Sequence, residues 1–239
     1  MKKLVALMVA LTMVLGLASV ASAAEYPSKG ISVICPWGAG GGTDAVLRAF
    51  CEAMGKDLGV TLTVDNRTGG GGIIGHQAIA DAEPDGYTIG FINLPTYTTL
   101  ALAKNASFDD KSIVPICNHL KETGVVVVRK DSQFNSLKDL VEYAKAHPGE
   151  LKASTNGVQA SNHTAAQLLS TTAKFKYNAV PYGGTADQLL ALRQGEVDFS
   201  CAKLGDVEPL IRGNNAALKL LGVFSEKRLD DYKDVPTLG

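Results

Sequence analysis

The sequence lacks most of the residue patterns on which metal-dependent and hydrolytic chemistry rests. Its 239 residues hold four cysteines and four histidines, none in C-x-x-C or H-E-x-x-H spacing, so zinc and thioredoxin-like chemistry have no ligands to use. No G-x-S-x-G is present, and neither glycine-rich stretch runs on into G-K-[ST], which removes a nucleophile elbow and a Walker loop. Residues 70–75 satisfy G-x-G-x-x-G, but where a dinucleotide site needs an acid about 20 positions further on, the chain reads Leu94-Pro95-Thr96. Basic residues are scattered singly, without the aromatic-interleaved patch that nucleic acid requires. The expectation is a protein that is no enzyme and carries neither metal nor cofactor.

The N-terminus gives the destination. Lys2 and Lys3 precede an apolar stretch over residues 4–20 that ends in Ala21-Ser22-Ala23, the order of a secretory signal peptide cleaved near Ala23 and Ala24. A membrane anchor is the alternative, since the run approaches spanning length. No cysteine stands at the cleavage site, so a lipid anchor is not expected. Without residues 1–23 about 216 residues remain, enough for one large domain or two small ones. Leaving out Lys2 and Lys3 sets 21 basic residues against 24 acidic, a net charge near −3. An oxidising compartment permits disulfides among Cys35, Cys51, Cys117 and Cys201. Cys117 with Cys201 is the first pairing to look for, and free buried thiols fit the apolar contexts equally well.

Short β-branched runs alternate with longer amphipathic ones along the mature chain, the pattern of βαβ units and parallel sheets. Strands are expected at 31–35, 61–65, 87–92, 124–129, 151–155, 177–181, 197–202 and 218–223. Helices are expected at 44–58, 73–82, 136–146, 160–172, 185–193 and 206–212. Ser136 followed three residues later by Asp139 reads as a capping arrangement, and His147-Pro148-Gly149 as the stop of that helix. The run Val125-Val126-Val127-Val128 is apolar on both faces, as in a strand covered on both sides, and starts a second sheet.

Three strand-to-helix junctions carry the candidate site. Residues 35–44 read C-P-W-G-A-G-G-G-T-D; a strand ending in glycines and feeding a helix points backbone N–H groups outward at the positive end of the helix dipole, a geometry that attracts an anion. Trp37, Ala39, Gly40, Gly41, Gly42 and Thr43 are the candidates there. The second junction holds Ser154, Thr155, Asn156, Gly157 and Ser161, rich in hydroxyl and amide donors. The third holds Tyr182, Gly183, Gly184 and Thr185. Doubly wound sheets place ligands at such carboxyl ends of strands. Each loop taken alone also reads as ordinary connector and capping chemistry. Residues 66–75 read as a tight turn and closely packed helix start beside the first loop. His163 is the one histidine expected near a pocket, more as a cap than a base, and Asp198 as a structural acid. Asn66, Asn105 and Asn162 head N-x-[ST] triplets, which matter only in a eukaryotic secretory route.

The order of motifs closely resembles one family. P-W-G-A-G-G-G-T-D (36–44), N-R-T-G-G-G-G-I-I-G (66–75), P-D-G-Y-T (84–88), V-P-Y-G-G-T-A (180–186), G-E-V-D (195–198) and D-V-P-T-L-G (234–239) are similar to the tripartite tricarboxylate transporter solute-binding proteins, also called Bug receptors. The resemblance covers essentially the whole mature chain. It implies an α/β, two-lobed periplasmic binding protein of the type II fold, with lobe 1 over 24–122 plus 224–239 and lobe 2 over 123–223. It further implies a monomeric periplasmic receptor for a small carboxylate solute, whether a di- or tricarboxylate, an acidic amino acid or an aromatic acid. Such a receptor delivers its solute to integral membrane permease subunits driven by an ion gradient. On this resemblance the three loops hold one ligand carboxylate. Asn93 and its neighbours over 91–96, with residues 200–203, set selectivity; Lys203 either pairs with a second carboxylate or faces solvent. Hinges are expected near 119–124 and 223–225. The chain departs from the family where Gly157-Val158-Gln159-Ala160-Ser161 replaces G-x-G-S, and where Trp37 stands for a common Phe. Family members also run several tens of residues further, so the chain is expected to be truncated and less stable than an extended form, with first-lobe apolar surface exposed. A subunit signalling to a membrane kinase and a secreted hydrolase using the glycine loop as an anion hole are the alternatives.

Overall fold

The computed structural model of the protein describes residues 25–103 and 106–238. The signal-peptide reading, its cleavage point, the Asn105 triplet and Gly239 lie outside the described residues. Among the described residues, eight strands and seven α-helices alternate along the chain, and no helix is long and apolar enough to cross a membrane.

The first unit is a three-stranded parallel sheet in the order β2-β1-β3. It consists of β1 (Ile31–Cys35), β2 (Leu62–Asn66) and β3 (Thr88–Gly90). Successive residues of a strand face opposite ways, so Ile31, Val33 and Cys35 share one side. They pack there against Leu47 and Cys51 of α1 (Gly42–Leu58), which lie four residues apart on one helix face. Gly59, in the left-handed conformation with φ 69°, ends α1. After β2 come a 3-10 turn (Gly70–Gly72) and α2 (Ile73–Ala80). Gly75 is obligatory in α2, because a Cβ there would stand 2.5 Å from Pro36 Cα. A further helix, α3 (Thr96–Leu102), was not expected from the sequence. It buries Tyr97 and Leu100 with Phe108.

The second unit is a five-stranded sheet in the order β6-β5-β7-β4-β8. Its strands are β4 (Gly124–Arg129), β5 (Lys152–Thr155), β6 (Asn178–Pro181), β7 (Phe199–Lys203) and β8 (Leu218–Phe224). β5 runs parallel to β6 and β7, and β4 runs antiparallel to β7 and β8. Val125 to Val128 are all fully buried. Val126 and Val128 enter one core, with Phe134, Leu140 and Phe199, while Val125 and Val127 enter another on the opposite face, with Leu192, Val207 and Leu218. Covering both faces are α4 (Leu137–Ala146), α5 (Ser161–Ala173), α6 (Thr185–Gln194) and α7 (Leu204–Ile211). The capping box at α4 is present as read: Ser136 Oγ accepts from Asp139 N–H and Asp139 accepts from Ser136 N–H.

Among the described residues the chain passes between the units once, over 120–123. His119 still packs on Phe50 and Phe91 of the first unit, and β4 begins at Gly124. Residues 225–238, expected with the first lobe, lie along the second sheet instead. Thr237 bridges Val223, Leu238 N–H donates to Val223 O at 2.8 Å, and Leu238 packs on the second unit's core. The Cys117–Cys201 pairing is not formed: all four thiols are free, with Cys201 buried in β7 and Cys117 exposed in the loop before β4.

Candidate functional site

The two units meet along the carboxyl ends of their strands, and backbone meets backbone there. Gly71 lies against Gly157 and Val158, such that a Cβ on Gly71 would be 2.5 Å from Val158 O. Gly38 lies against Gly184, where an added Cβ would be 3.2 Å from Gly38 N. Gly69, Gly70, Gly71 and Gly72 all have φ between 59° and 124°, a run of left-handed backbone that residues with a Cβ adopt only at a cost. Side chains add to the seam. Ser161 N–H donates to Thr96 Oγ1 at 2.9 Å, Thr99 Oγ1–H donates to Gln159 O at 2.8 Å, and Ala160 is buried in the core of the first unit.

A cavity of about 420 Å³ opens at this seam. The first unit lines it with Trp37, Gly69, Gly70, Gly71, Gly72 and Ile73. The second lines it with Asn156, Gly157, Val158, Gln159, Pro181, Tyr182 and Gly183. Its size is that of a pocket for a small organic solute. A larger hollow of about 560 Å³ sits on the back of the first unit, between α2 and the sheet. No strand-to-helix loops converge on that one, so the smaller cavity is the better candidate.

The first loop is held from below. Asp44 is buried; burial opposes its charge, but bonds from Arg48, Gly40 N–H at 2.9 Å and Asn66 Nδ2 at 2.9 Å outweigh that and hold its carboxyl below the usual range. Asn66 also donates to Trp37 O at 2.8 Å. Asn93 accepts from Trp37 Nε1–H and donates to Thr43 Oγ1 at 3.3 Å, tying two candidate residues together. Under the indole, His76 is fully buried and donates through Nδ1 to Gly72 O at 2.7 Å. Burial pushes its pKa down to about 4, so the ring is neutral. It fixes the glycine run that forms one wall of the cavity.

In the second unit Ser154 and Thr155 end β5 fully buried, and their hydroxyls have no partner among the described residues. Such buried polar atoms are rare unless something else satisfies them. Next to them Asn156 Oδ1 accepts from Asn162 N–H, and Asn162 Nδ2 donates to Gln188 Oε1 at 3.0 Å. Gln188 in turn donates to Ser200 Oγ and to Cys201 O. Tyr182 N–H donates to Thr155 O at 2.8 Å, which sets the third loop beside the second. Lys203 does not face solvent: its Nζ donates to Ser161 Oγ and Asn162 Oδ1, both at 3.2 Å. His163 Nδ1 accepts from Gln159 N–H at 3.2 Å, the capping role expected for it, and Asp198 accepts from Lys152 N–H, a structural one.

Of the expected residues, Trp37, Asn156, Gly157, Tyr182 and Gly183 line the cavity. Ala39, Gly40, Gly41, Gly42 and Thr43 do not, nor do Asn93, Ser154, Thr155, Ser161, Gly184, Thr185 and Lys203. Ala39 and Gly40 are at the surface, and a Cβ on Gly41 would approach the backbone of Thr185 and Ala186. Gly42, at the start of α1, is met by the Asp206 carboxylate of the second unit, which a Cβ there would overlap. The anion that this helix terminus attracts is thus one of the protein's own. Thr96 was expected only within the selectivity stretch 91–96, and Thr99, Gly71 and Asp206 were not expected from the sequence as contacts between the units. Only Asp206 left a signal, as an acid in the first turn of a helix that follows a strand.

A family model described as the tripartite tricarboxylate transporter family receptor matches residues 46–239. A UPF0065 protein of Bordetella pertussis is 33% identical over 222 residues, covering 92% of this chain and 68% of that relative. Among solved structures, the periplasmic binding protein BugD superposes with a TM-score of 0.83 at 31% identity, over 89% of this chain and 71% of that one. MatC from Rhodopseudomonas palustris, solved with bound malate, superposes with a TM-score of 0.83 at 27% identity, over 89% of this chain and 72% of that one.

Proposed function

Because the chain belongs to the tripartite tricarboxylate transporter receptor family, we propose that it is a periplasmic receptor for a small carboxylate solute that it delivers to a membrane permease. Solute binding is the shared role of the family and its structural relatives. The reading rests chiefly on the convergence of glycine-rich and amide-rich loops from both units on one cavity of about 420 Å³. The unpartnered hydroxyls of Ser154 and Thr155 directly precede the loop that lines it. Backbone N–H groups and neutral hydroxyls suit a carboxylate, which only accepts hydrogen bonds. The malate held by MatC supports a dicarboxylate of about that size. A solute touching both units favours their closed arrangement by its differential affinity for it, with the crossing at 120–123 as the hinge. The closed form is what the permease would recognise.

Calorimetric titration with malate, succinate, glutamate and benzoate tests this, each beside its uncharged amide. One carboxylate is expected to bind at one site per chain and its amide not at all. Thr155→Val is expected to weaken that binding at least tenfold with the melting temperature unchanged. If amide and acid bind alike, or if Thr155→Val binds as the parent does, the carboxylate site is misassigned.

A further inference from the structure

The cavity leaves one group of charged side chains unused. Asp206, in the first turn of α7, reaches across the seam to Gly42 at the start of α1. The Glu122 carboxylate leans over Gly205, where an added Cβ would overlap it, and Glu122 lies on the segment that crosses between the units. The Lys203 ammonium lies near both acids and is bonded to Ser161 and Asn162. Two carboxylates and one ammonium therefore gather where the units touch and where the chain passes between them.

We propose that Asp206 is a proton-taking latch: closing the units carries its carboxylate out of water onto the start of α1, beside Glu122, and the closed form takes up a proton there. The groups facing Asp206 account for the direction. From the crossing segment Glu122 opposes its charge; from the end of β7 Lys203 and its backbone N–H favour it; from α1 the Gly42 N–H favours it. The other acid of that helix start, Asp44, is turned away into Arg48 and Asn66. Burial is the largest influence, and with Glu122 it outweighs the donors, so the carboxyl is pushed up to about 6. In the open arrangement the same carboxyl, back in water, returns toward the ordinary value of about 4. A group held more tightly protonated in one state favours that state as pH falls. The closing equilibrium therefore rises about tenfold from pH 8 to pH 5, with nothing lost below the window where both forms are protonated. This goes beyond solute binding, because it acts on the protein without solute.

The test uses the free protein. The Gly42 amide proton, followed by NMR, is expected to titrate with a midpoint near 6, and the radius of gyration from X-ray scattering to fall with the same midpoint on acidification. Asp206→Asn, a neutral isostere of the protonated acid, is expected to abolish the Gly42 titration and to stay compact from pH 5 to pH 8. Glu122→Gln is expected to move the midpoint down, by removing the like charge. A Gly42 amide that does not titrate overturns the proposal, as does a titration that survives in Asp206→Asn, or a radius of gyration that is flat across the window in the parent protein. Circular dichroism of both variants separates a lost latch from a lost fold.

Discussion

Replacing Gly71 with alanine is expected to hold the two units apart while leaving each folded. Two costs arise, and they fall on different states. Gly71 has φ 66°, and an alanine in that left-handed conformation costs about 1–2 kcal/mol whether the units are open or closed. For a chain of this size that lowers the melting temperature by about 2–8 °C. The new Cβ would also stand 2.5 Å from Val158 O. Both atoms are fixed to backbone, so no rotamer relieves the overlap, and overpacking of this kind costs about 1–3 kcal/mol. That second cost exists only when the units meet, and it weakens binding of a solute that needs closure by about 5- to 150-fold. Gly149→Ala is the matched control: its φ is 82° and nothing lies within 4 Å of the added Cβ. It is expected to lower the melting temperature similarly and leave affinity alone. Calorimetry with the best-binding carboxylate, beside thermal melts, reads both effects. Affinities within twofold for folded Gly71→Ala would refute the reasoning, as would an equal loss in the Gly149 variant.

Ser136→Ala removes one half of the capping box at α4; the expected loss is about 1 kcal/mol, seen by chemical denaturation, with solute affinity unchanged. His76 is held neutral by burial, its pKa near 4 against 6.5 when unfolded. Since the unfolded chain binds that proton more readily, its stabilising contribution is complete above pH 6.5. It is lost as pH falls toward 4, by about 3 kcal/mol in all; His76→Gln should flatten that part of a stability-versus-pH curve. Cys117 is exposed while Cys35, Cys51 and Cys201 are buried, with burial raising the pKa of all three. A thiol reagent is expected to label one site in the folded protein and all four after denaturation, and loss of thiols in pairs on mild oxidation would contradict this.

Much of the architecture was legible because local pattern and burial agree. Val125 to Val128 read as a strand covered on both faces, and each face proves to have its own core. The Ser136 and Asp139 spacing marked a helix start that the fold uses as read. By contrast α3 was hidden, since Thr96, Tyr97, Thr98 and Thr99 have poor intrinsic helix preference. Its helix is secured by burial of Tyr97 and Leu100 and by threonine hydroxyls that bond back to Pro95 O. Thr99, with Thr96, also bonds the second unit, a role no periodicity records. At the site, glycine loops announced an anion-seeking geometry at the start of α1, but not which anion arrives there. Asp206 is 164 positions from Gly42 in the chain, and only the meeting of the two units brings them together. For the same reason Gly71 read as a tight turn, and its contact with Gly157 came to light only once both units were in place.

Thermal melting of the protein with a panel of carboxylates and their uncharged amides tests most directly whether a carboxylate binds between the units. A solute at about 100 times its dissociation constant should add about 2.7 kcal/mol to stability. Binding between the units requires such a shift for at least one carboxylate and none for its amide. A folded protein whose melting temperature is indifferent to every member of the panel, or rises equally with acid and amide, would contradict it.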